Sequence, residues 1–317
     1  MSSTNPISLA RKLQLPASLK EFRTRFPKES DCEEFLFGVR FPDGFICPTC
    51  GIQRGWSLKG RRLTECANGH KVSLTSGTIL HGTRQDLLTW FHAAYLVSTF
   101  TPGISALQFQ RQLGLTRYET AFQMLHKIRS SLVTPGRELL RCEVEVDETF
   151  IGGKDPDRGG RGGDKVIVVG AVEVSNSLTR AKPQARQPVG RVRLRVVADA
   201  SADSLAGFVE SEVETDAIVH TDGWDGYRRL NHSGYRHRRV VQGKGRTAKP
   251  VLPHIHRVFS NLKLWLKGTH HGRIESYYLQ AYLNEYEFRF NRRFWRGPAF
   301  LRALMLMIAT PPQNHKM

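Results

Sequence analysis

The chain reads as an α/β protein built on a mixed sheet, preceded by a small metal-binding ribbon and a helical region. Three observations predict this. Strand-like apolar stretches recur between residues 142 and 222, with one helical stretch before the last of them. Two close pairs of thiol and imidazole side chains fall between residues 47 and 70. Residues 83–132 carry apolar positions at three- and four-residue steps. At 317 residues and 40% hydrophobic, the chain is large enough to bury a core and to form about two domains.

Charge narrows the partners. Lys and Arg number 47 against 29 Asp and Glu, giving a formal charge of +18 and a pI near 10.1. Such a balance predicts a polyanionic partner, nucleic acid ahead of an acidic membrane surface. No apolar run approaches the roughly 18 residues of a membrane helix, and residues 1–16 lack a signal peptide's apolar centre. A cytoplasmic protein with no membrane partner is expected. Five cysteines, only three of them close together, argue against a disulfide framework.

Residues 1–40 form an N-terminal helical segment, with Phe22, Phe26, Cys32, Phe35, Leu36 and Val39 at helical spacing and a break near Pro27. Residues 41–82 hold the ribbon. Cys47 and Cys50 make a C-x-x-C knuckle, and Cys66 with His70 supplies the second pair, a ligand set suited to one tetrahedral structural zinc. Two reduced thiols beside an incidental histidine are the alternative, and His81 is the reserve ligand. Arg54, Lys59, Arg61, Arg62 and Lys71 give the ribbon charge to touch phosphates. Residues 83–135 then run through a helix over Leu87, Leu88, Phe91, Tyr95 and Leu96, a stop at Pro102-Gly103, and two helices around Gly114. That is a helix-turn-helix outline, with Arg117, Lys127 and Arg129 placed for DNA, although plain helical packing explains the pattern equally well.

The second half, residues 140–300, starts with CEVEVDETFIGG. Val144, Val146 and Phe150 alternate with Glu143, Glu145 and Asp147, so this is a strand. Glu143 and Glu145 read as a solvated face. Asp147, near the end of the apolar run, is either structural or a ligand. A glycine-rich turn at 154–165, the apolar strand VIVVGAVEV, a polar interruption at 175–188 and the strand RVRLRVVADA complete a meander. A helix capped by Ser201 follows, then AIVHTDGWDGY, a strand ending on Asp222. Three antiparallel strands, a helix and a parallel fourth strand is the order of an RNase H-like fold, in which strands one and four are neighbours. Asp147 and Asp222 would then adjoin. For Asp222 a turn-forming Asp-Gly is an equal alternative, and Asp225 is a weaker ligand. Adjacent carboxylates in a protein built for polyanions suit Mg²⁺ or Mn²⁺, and two ions can stabilise both the attacking and leaving oxygens of phosphodiester displacement.

VDETFIGG, HTDGWDGY, HRVFSNLKLWLKGTHHG and YLNEYEFRFNRR together resemble the DDE-type transposases of bacterial insertion sequences, in the group with an N-terminal zinc ribbon and an ISXO-like catalytic domain. The resemblance covers residues 20–300. It implies binding to the terminal inverted repeats of an element, metal-dependent DNA cleavage and strand transfer, and assembly as a homo-oligomer on DNA in association with the nucleoid. Asp147 and Asp222 carry over as the first two acids. The third acid, commonly a glutamate with a basic residue two turns later, is missing from HIHRVFSNLKLWLKG. In this group Asn or His replaces it, so His256 and Asn261 are candidates, with Lys263 in the basic position. Glu275 is the rival acid and Glu285 a remoter one. His254, Arg257, Lys267, His270, His271 and Arg273 are expected on the DNA backbone. A stand-alone Mg²⁺ nuclease and an inactive zinc-ribbon repressor remain the alternative functions. The aromatic positions from Ser276 to Phe294 are expected in a core helix, Asn291-Arg292-Arg293 near the active site or DNA, and residues 301–317 as a tail, disordered from Thr310.

Overall fold

The computed structural model describes residues 15–16, 18–58, 61–100, 103–133, 136–152, 165–174, 189–240, 251–270, 274–294 and 296–312. The glycine-rich turn at 154–164, the interruption at 175–188, His271, Arg273 and the residues after 312 lie outside them. The chain forms two compact units: Met1–Thr134 joined by Arg292–Met317, and Pro135–Asn291.

In the first unit, α1 (Leu19–Arg25) and α2 (Glu29–Arg40) flank the expected break at Pro27. Ser18 caps α1, accepting the Glu21 N–H at 3.2 Å. The ribbon is a three-stranded antiparallel sheet of β1 (Gly55–Leu58), β2 (Leu63–Cys66) and β3 (Lys71–Ser73). Helix α3 (Leu87–Thr99) starts on an Asp86 cap, and both oxygens of Glu29 take further N–H groups, from Leu87 at 2.8 Å and Leu88 at 2.9 Å. Helices α4 (Ala106–Leu113) and α5 (Tyr118–Ser131) pack together across a turn whose first residue, Gly114, has φ 64°, a left-handed conformation that ends α4.

The C-terminal segment corrects the expected tail. From Arg296 to Ala309 it forms α9, which packs on α3 and α5. Phe300 is fully buried, with ring centroids 5.8 Å from Phe22 and 6.1 Å from Phe91. The hydrophobic effect explains the difference: Phe300, Leu301, Leu304 and Met307 recur at helical steps and find an aromatic cluster to cover them.

The second unit is the mixed sheet. Its strands are β4 (Glu143–Ile151), β5 (Val166–Val174), β6 (Val189–Val197), β7 (Ile218–Thr221) and β8 (Arg236–Arg239), in the spatial order β6-β5-β4-β7-β8. The first three are antiparallel, and β7 pairs in parallel with both β4 and β8. This is the RNase H-like order. β8 had no sequence signal, because RHRR lacks the apolar alternation of a buried strand and lies at the sheet edge, where charge is tolerated. Helix α6 (Ala202–Glu212) covers one face, with Val144, Val146, Leu205, Phe208 and Val219 in its core. On the other face α7 (Pro253–His270) and α8 (Ser276–Asn291) close over Val168, Val172, Val192 and Leu194.

Helix α8 also solves the other edge. Strand β6 has a free side, and α8 supplies the missing partners from one stripe. Gln280 accepts the Val196 N–H at 2.9 Å, Glu287 that of Leu194 at 3.2 Å, and Asn291 that of Val192 at 2.7 Å. Asn291 returns its amide N–H to the Val192 carbonyl at 3.1 Å. Its side chain therefore completes the sheet and is not the active-site or DNA contact expected of it.

Candidate functional site

The ribbon quartet is built by two turns of the same design. Gly51 donates to the Cys47 carbonyl at 2.8 Å with φ 73°, and Gly69 to that of Cys66 at 2.8 Å with φ 78°. Each turn aims two ligands at one point. Cys50 Sγ lies 3.7 Å from Cys66 Sγ, and His70 Nδ1 lies 3.4 Å from Cys66 Sγ and 3.9 Å from Cys47 Sγ. A tetrahedron with metal–sulfur bonds of about 2.3 Å has edges of about 3.8 Å, so the four donors already have the spacing that zinc requires. All four ligand atoms lie within 4.8 Å of one another, and no other such group occurs among the described residues. Burial raises the Cys47 thiol, but the backbone around Thr49 and Cys50 and the thiols of Cys50 and Cys66 outweigh it and bring the pKa to about 6. Cys47 is thus poised as a thiolate. His81 is exposed and stands outside the quartet.

The second site is assembled from distant parts. β4 and β7 pair at Glu145↔His220, and two residues further along both lie Asp147 and Asp222. Asp147 is not at a strand end, as expected, but midway along β4, opposite Gly170 of β5, at the level where β7 stops. The parallel neighbour ends there, which leaves one side of Asp147 open. Asp222 accepts the Trp224 N–H at 2.9 Å, so the turn-forming reading of Asp-Gly holds for one of its oxygens.

Helix α7 brings the third element. His256 Nε2 donates to Asp147 Oδ2 at 2.9 Å. What seats the helix there is Glu145, buried and facing the same way as Asp147 two residues on. Its Oε2 accepts the N–H groups of His254 at 2.8 Å and Ile255 at 2.9 Å, and its Oε1 accepts His254 Nδ1–H at 2.7 Å. Glu145 is therefore a tertiary cap on α7 rather than a solvated face, and His254 is its partner rather than a DNA contact. Close approach is secured at Gly170, where a Cβ would stand 2.7 Å from Phe259 Cε1. Phe259 fills that space three residues after His256.

Burial pushes the Asp147 carboxyl up to about 6; Glu148 and Asp222 add to the rise, and His256 opposes it. Burial likewise raises Glu148, whose Oε2 accepts the Tyr227 hydroxyl at 2.7 Å, and it raises Tyr227. Neither residue was singled out in the sequence; the period of two puts Glu148 on the face opposite Asp147. On the α7 face, then, Asp147 and Asp222 offer hard carboxylate oxygens of the kind that suits a divalent cation, with the His256 imidazole beside Asp147 and Glu148 adding negative charge from the opposite face. Asp147, Asp222 and His256 are not drawn together as tightly as the ribbon quartet.

The other expected residues divide. At about 100° per residue, Lys263 shares the His256 stripe two turns on, whereas Asn261 stands about 140° round α7. Both are exposed. Glu275 is exposed just before α8, and Glu285 is fully buried beside Arg289 at 3.4 Å. Asp225 pairs with Arg228 at 2.9 Å and Arg239 at 3.3 Å. Of the proposed DNA contacts, Arg61, Arg257 and Lys267 are exposed and Lys127 is half-buried. Arg62 is held by Glu29 at 2.7 Å and Glu33 at 3.5 Å. His270 sets its ring 4.2 Å from that of Tyr282, tilted by 40°. Arg129 is a correction: it is 1% exposed and donates to the Ile104 carbonyl at 3.1 Å, so it braces the helices and does not meet DNA. No helix among the described residues is long and apolar enough to cross a membrane.

Fold and sites together define a zinc-ribbon protein with an RNase H-like domain that carries paired aspartates on adjacent strands. The comparisons make this more specific. Residues 139–291 match the ISXO2-like transposase domain and residues 27–71 the transposase zinc-ribbon domain, so the chain carries a transposase domain preceded by a transposase zinc ribbon. A search of curated proteins gives no match. Among solved structures, the catalytic core domain of BIV integrase is 17% identical over 45% of this chain and 80% of that one, with TM-score 0.29. A chain of the simian T-cell lymphotropic virus intasome in complex with PP2A regulatory subunit B56 gamma is 13% identical over 60% and 66%, with TM-score 0.27. Neither chain is similar enough to bear on the assignment, which stands on the strand order and the matched domains.

Proposed function

We infer that the chain is a transposase that binds the terminal inverted repeats of an insertion sequence and cuts and joins DNA by phosphoryl transfer at Asp147 and Asp222. The observation that carries this reading is the pair of aspartates on adjacent parallel strands, with His256 hydrogen-bonded to Asp147, inside an ISXO2-like transposase domain. The proposed division of labour gives end binding to residues 41–135 and chemistry to 140–300. Arg61, Lys127, Arg257 and Lys267 are available for phosphates.

Asp147 and Asp222 would hold Mg²⁺ or Mn²⁺, with His256 available as a further ligand only through a ring nitrogen free of its proton, and the ion would supply positive charge to the attacking and leaving oxygens. The protein's own part is positioning. Glu145 fixes the start of α7, Phe259 seats it on Gly170, and His256 orients Asp147 Oδ2. With an imidazole in the third position, the acids carry the negative charge of the site. Lys263, on the same stripe, reaches toward phosphate. No covalent step on the protein is required: water cuts a strand and frees a 3′-hydroxyl, which then attacks target DNA. Zinc in the quartet is structural, since four protein ligands leave no open position. Joining two ends calls for more than one active site, hence a homo-oligomer on DNA, associated with the nucleoid in the cytoplasm.

The test is strand transfer with labelled end DNA and Mg²⁺ or Mn²⁺. Asp147→Asn and Asp222→Asn should each lose at least about 1000-fold in cleavage and joining while still binding the ends. Strand transfer by either variant at the wild-type rate would overturn the reading. Cleavage without joining by the wild type would make it a nuclease.

A further inference from the structure

Among the described residues, the sheet face that carries Asp147 is only partly covered. Glu145 and Asp147 meet α7 on this face. The registers Glu145↔His220 and His220↔Arg238 therefore put His220 and Asp222 of β7, and Arg236 and Arg238 of β8, on the same side. The apolar cluster under α7 and α8 takes strand residues from β4, β5 and β6 and none from β7 or β8. Among the described residues, apolar cover ends at the strand that bears Asp147.

Beyond that line the surface is basic. Arg236 and Arg238 are exposed, and among the described residues neither makes an ion pair. Arg239, on the opposite face, is engaged: it donates to the Gly223 carbonyl and reaches Asp225 at 3.3 Å. Protection of an edge strand would be served by charge of either sign on either face. Here both unpaired cations of the strand stand beside the aspartates. Arg238 lies one strand over and two residues back from Asp222, about 5 Å and about 7 Å in strand spacing, a separation of about one to two nucleotides.

We propose that Arg236 and Arg238 form a phosphate-binding ledge that seats the backbone of the DNA strand being cut beside Asp147 and Asp222. The proposal rests on the reading of those aspartates as the reaction centre. Charge complementarity selects the occupant, because a phosphodiester strand is the polyanion that the reaction consumes.

The test is the salt dependence of DNA binding by the full chain carrying Asp147→Asn, with a short fluorescent duplex of random sequence. Adding Arg236→Ala and Arg238→Ala together should lower the slope of log affinity against log salt by about 2, since each lost phosphate contact is worth about 0.9 on duplex DNA. Lysine at both positions should keep the slope, which separates lost charge from a disturbed strand. Arg239→Ala, on the other face, should leave it unchanged. An unchanged slope in the folded double alanine variant overturns the ledge, as does an equal loss from Arg239→Ala. Cleavage by the Asp147→Asn chain would strike the underlying reading instead, and it is scored separately from the slopes.

Discussion

The ribbon quartet, a cluster of metal ligands, and the aspartate site, for which we propose a metal, are organised in opposite ways. Cys47, Cys50, Cys66 and His70 are two tight turns held by a three-stranded sheet, and their donors stand at metal spacing from local geometry alone. Asp147, Asp222 and His256 come from β4, the end of β7 and helix α7, and they meet only because the sheet and α7 are in place. A site that closes its own tetrahedron can lend stability, whereas a site of mutually repelling acids must be held open by the fold. The contrast separates a metal that builds structure from one that would serve chemistry.

The largest expected effect tests the first half of that contrast. Cys47→Ser should reduce tightly bound zinc from about one per chain to near none and unfold the ribbon, since a structural zinc is worth about 10 kcal/mol or more to a small domain. Metal analysis with limited proteolysis reads both outcomes. A folded ribbon without zinc would make the quartet no more structural than the aspartate site.

Next in size is the third position of the aspartate site. His256→Ala should cost about 100-fold in strand transfer, whereas Asn261→Ala, about 140° round the same helix, should cost less than about threefold. Glu275→Ala serves as a control with full activity expected. A dead Asn261 variant beside an active His256 variant would reverse the assignment made from the geometry of α7.

The smallest effect concerns the cost of holding the acids. The Asp147 carboxyl rises from 3.8 to about 6 on folding, chiefly through burial, so the folded protein holds this proton more tightly than the unfolded chain. Its contribution to stability is full below about 3.8 and is lost as pH rises through about 6. Ionised Asp147 therefore costs about 3 kcal/mol above that range, and asparagine should recover about 2 kcal/mol after the loss of roughly 1 for the His256 hydrogen bond. Denaturant unfolding without Mg²⁺ should show Asp147→Asn more stable than wild type at pH 8, with the gain fading between about pH 6 and pH 4. An equal gain at both ends would mean that Asp147 is not ionised against the fold.

How much of this the sequence carries depends on the range of the interaction. Cys-x-x-Cys and Cys-x-x-x-His fix their ligands within one turn each, so the quartet is legible residue by residue. Asp147 and Asp222 are legible as acids in or after apolar strands, and the strand order makes them neighbours. Glu145 shows the limit. Its alternation with Val144 and Val146 is that of a solvated face, and only the arrival of α7 turns it into a buried cap. Arg129 fails in the opposite sense: a cation on a helix reads as a DNA contact until packing buries it against Ile104.

By itself, then, the sequence determined what short-range chemistry determines: the zinc knuckles, the apolar periods of the strands, the Ser201 cap and two aspartates, one within the strand that became β4 and one directly after β7. Tertiary structure decided what needs a partner far along the chain. It set His256, and not Asn261, against Asp147 by the rotation of α7, made α9 from an apparent tail by offering Phe300 an aromatic cluster, and hid Arg129. The physical reason is that turns and caps are satisfied within a few residues, whereas burial and the pairing of charge depend on which surfaces meet.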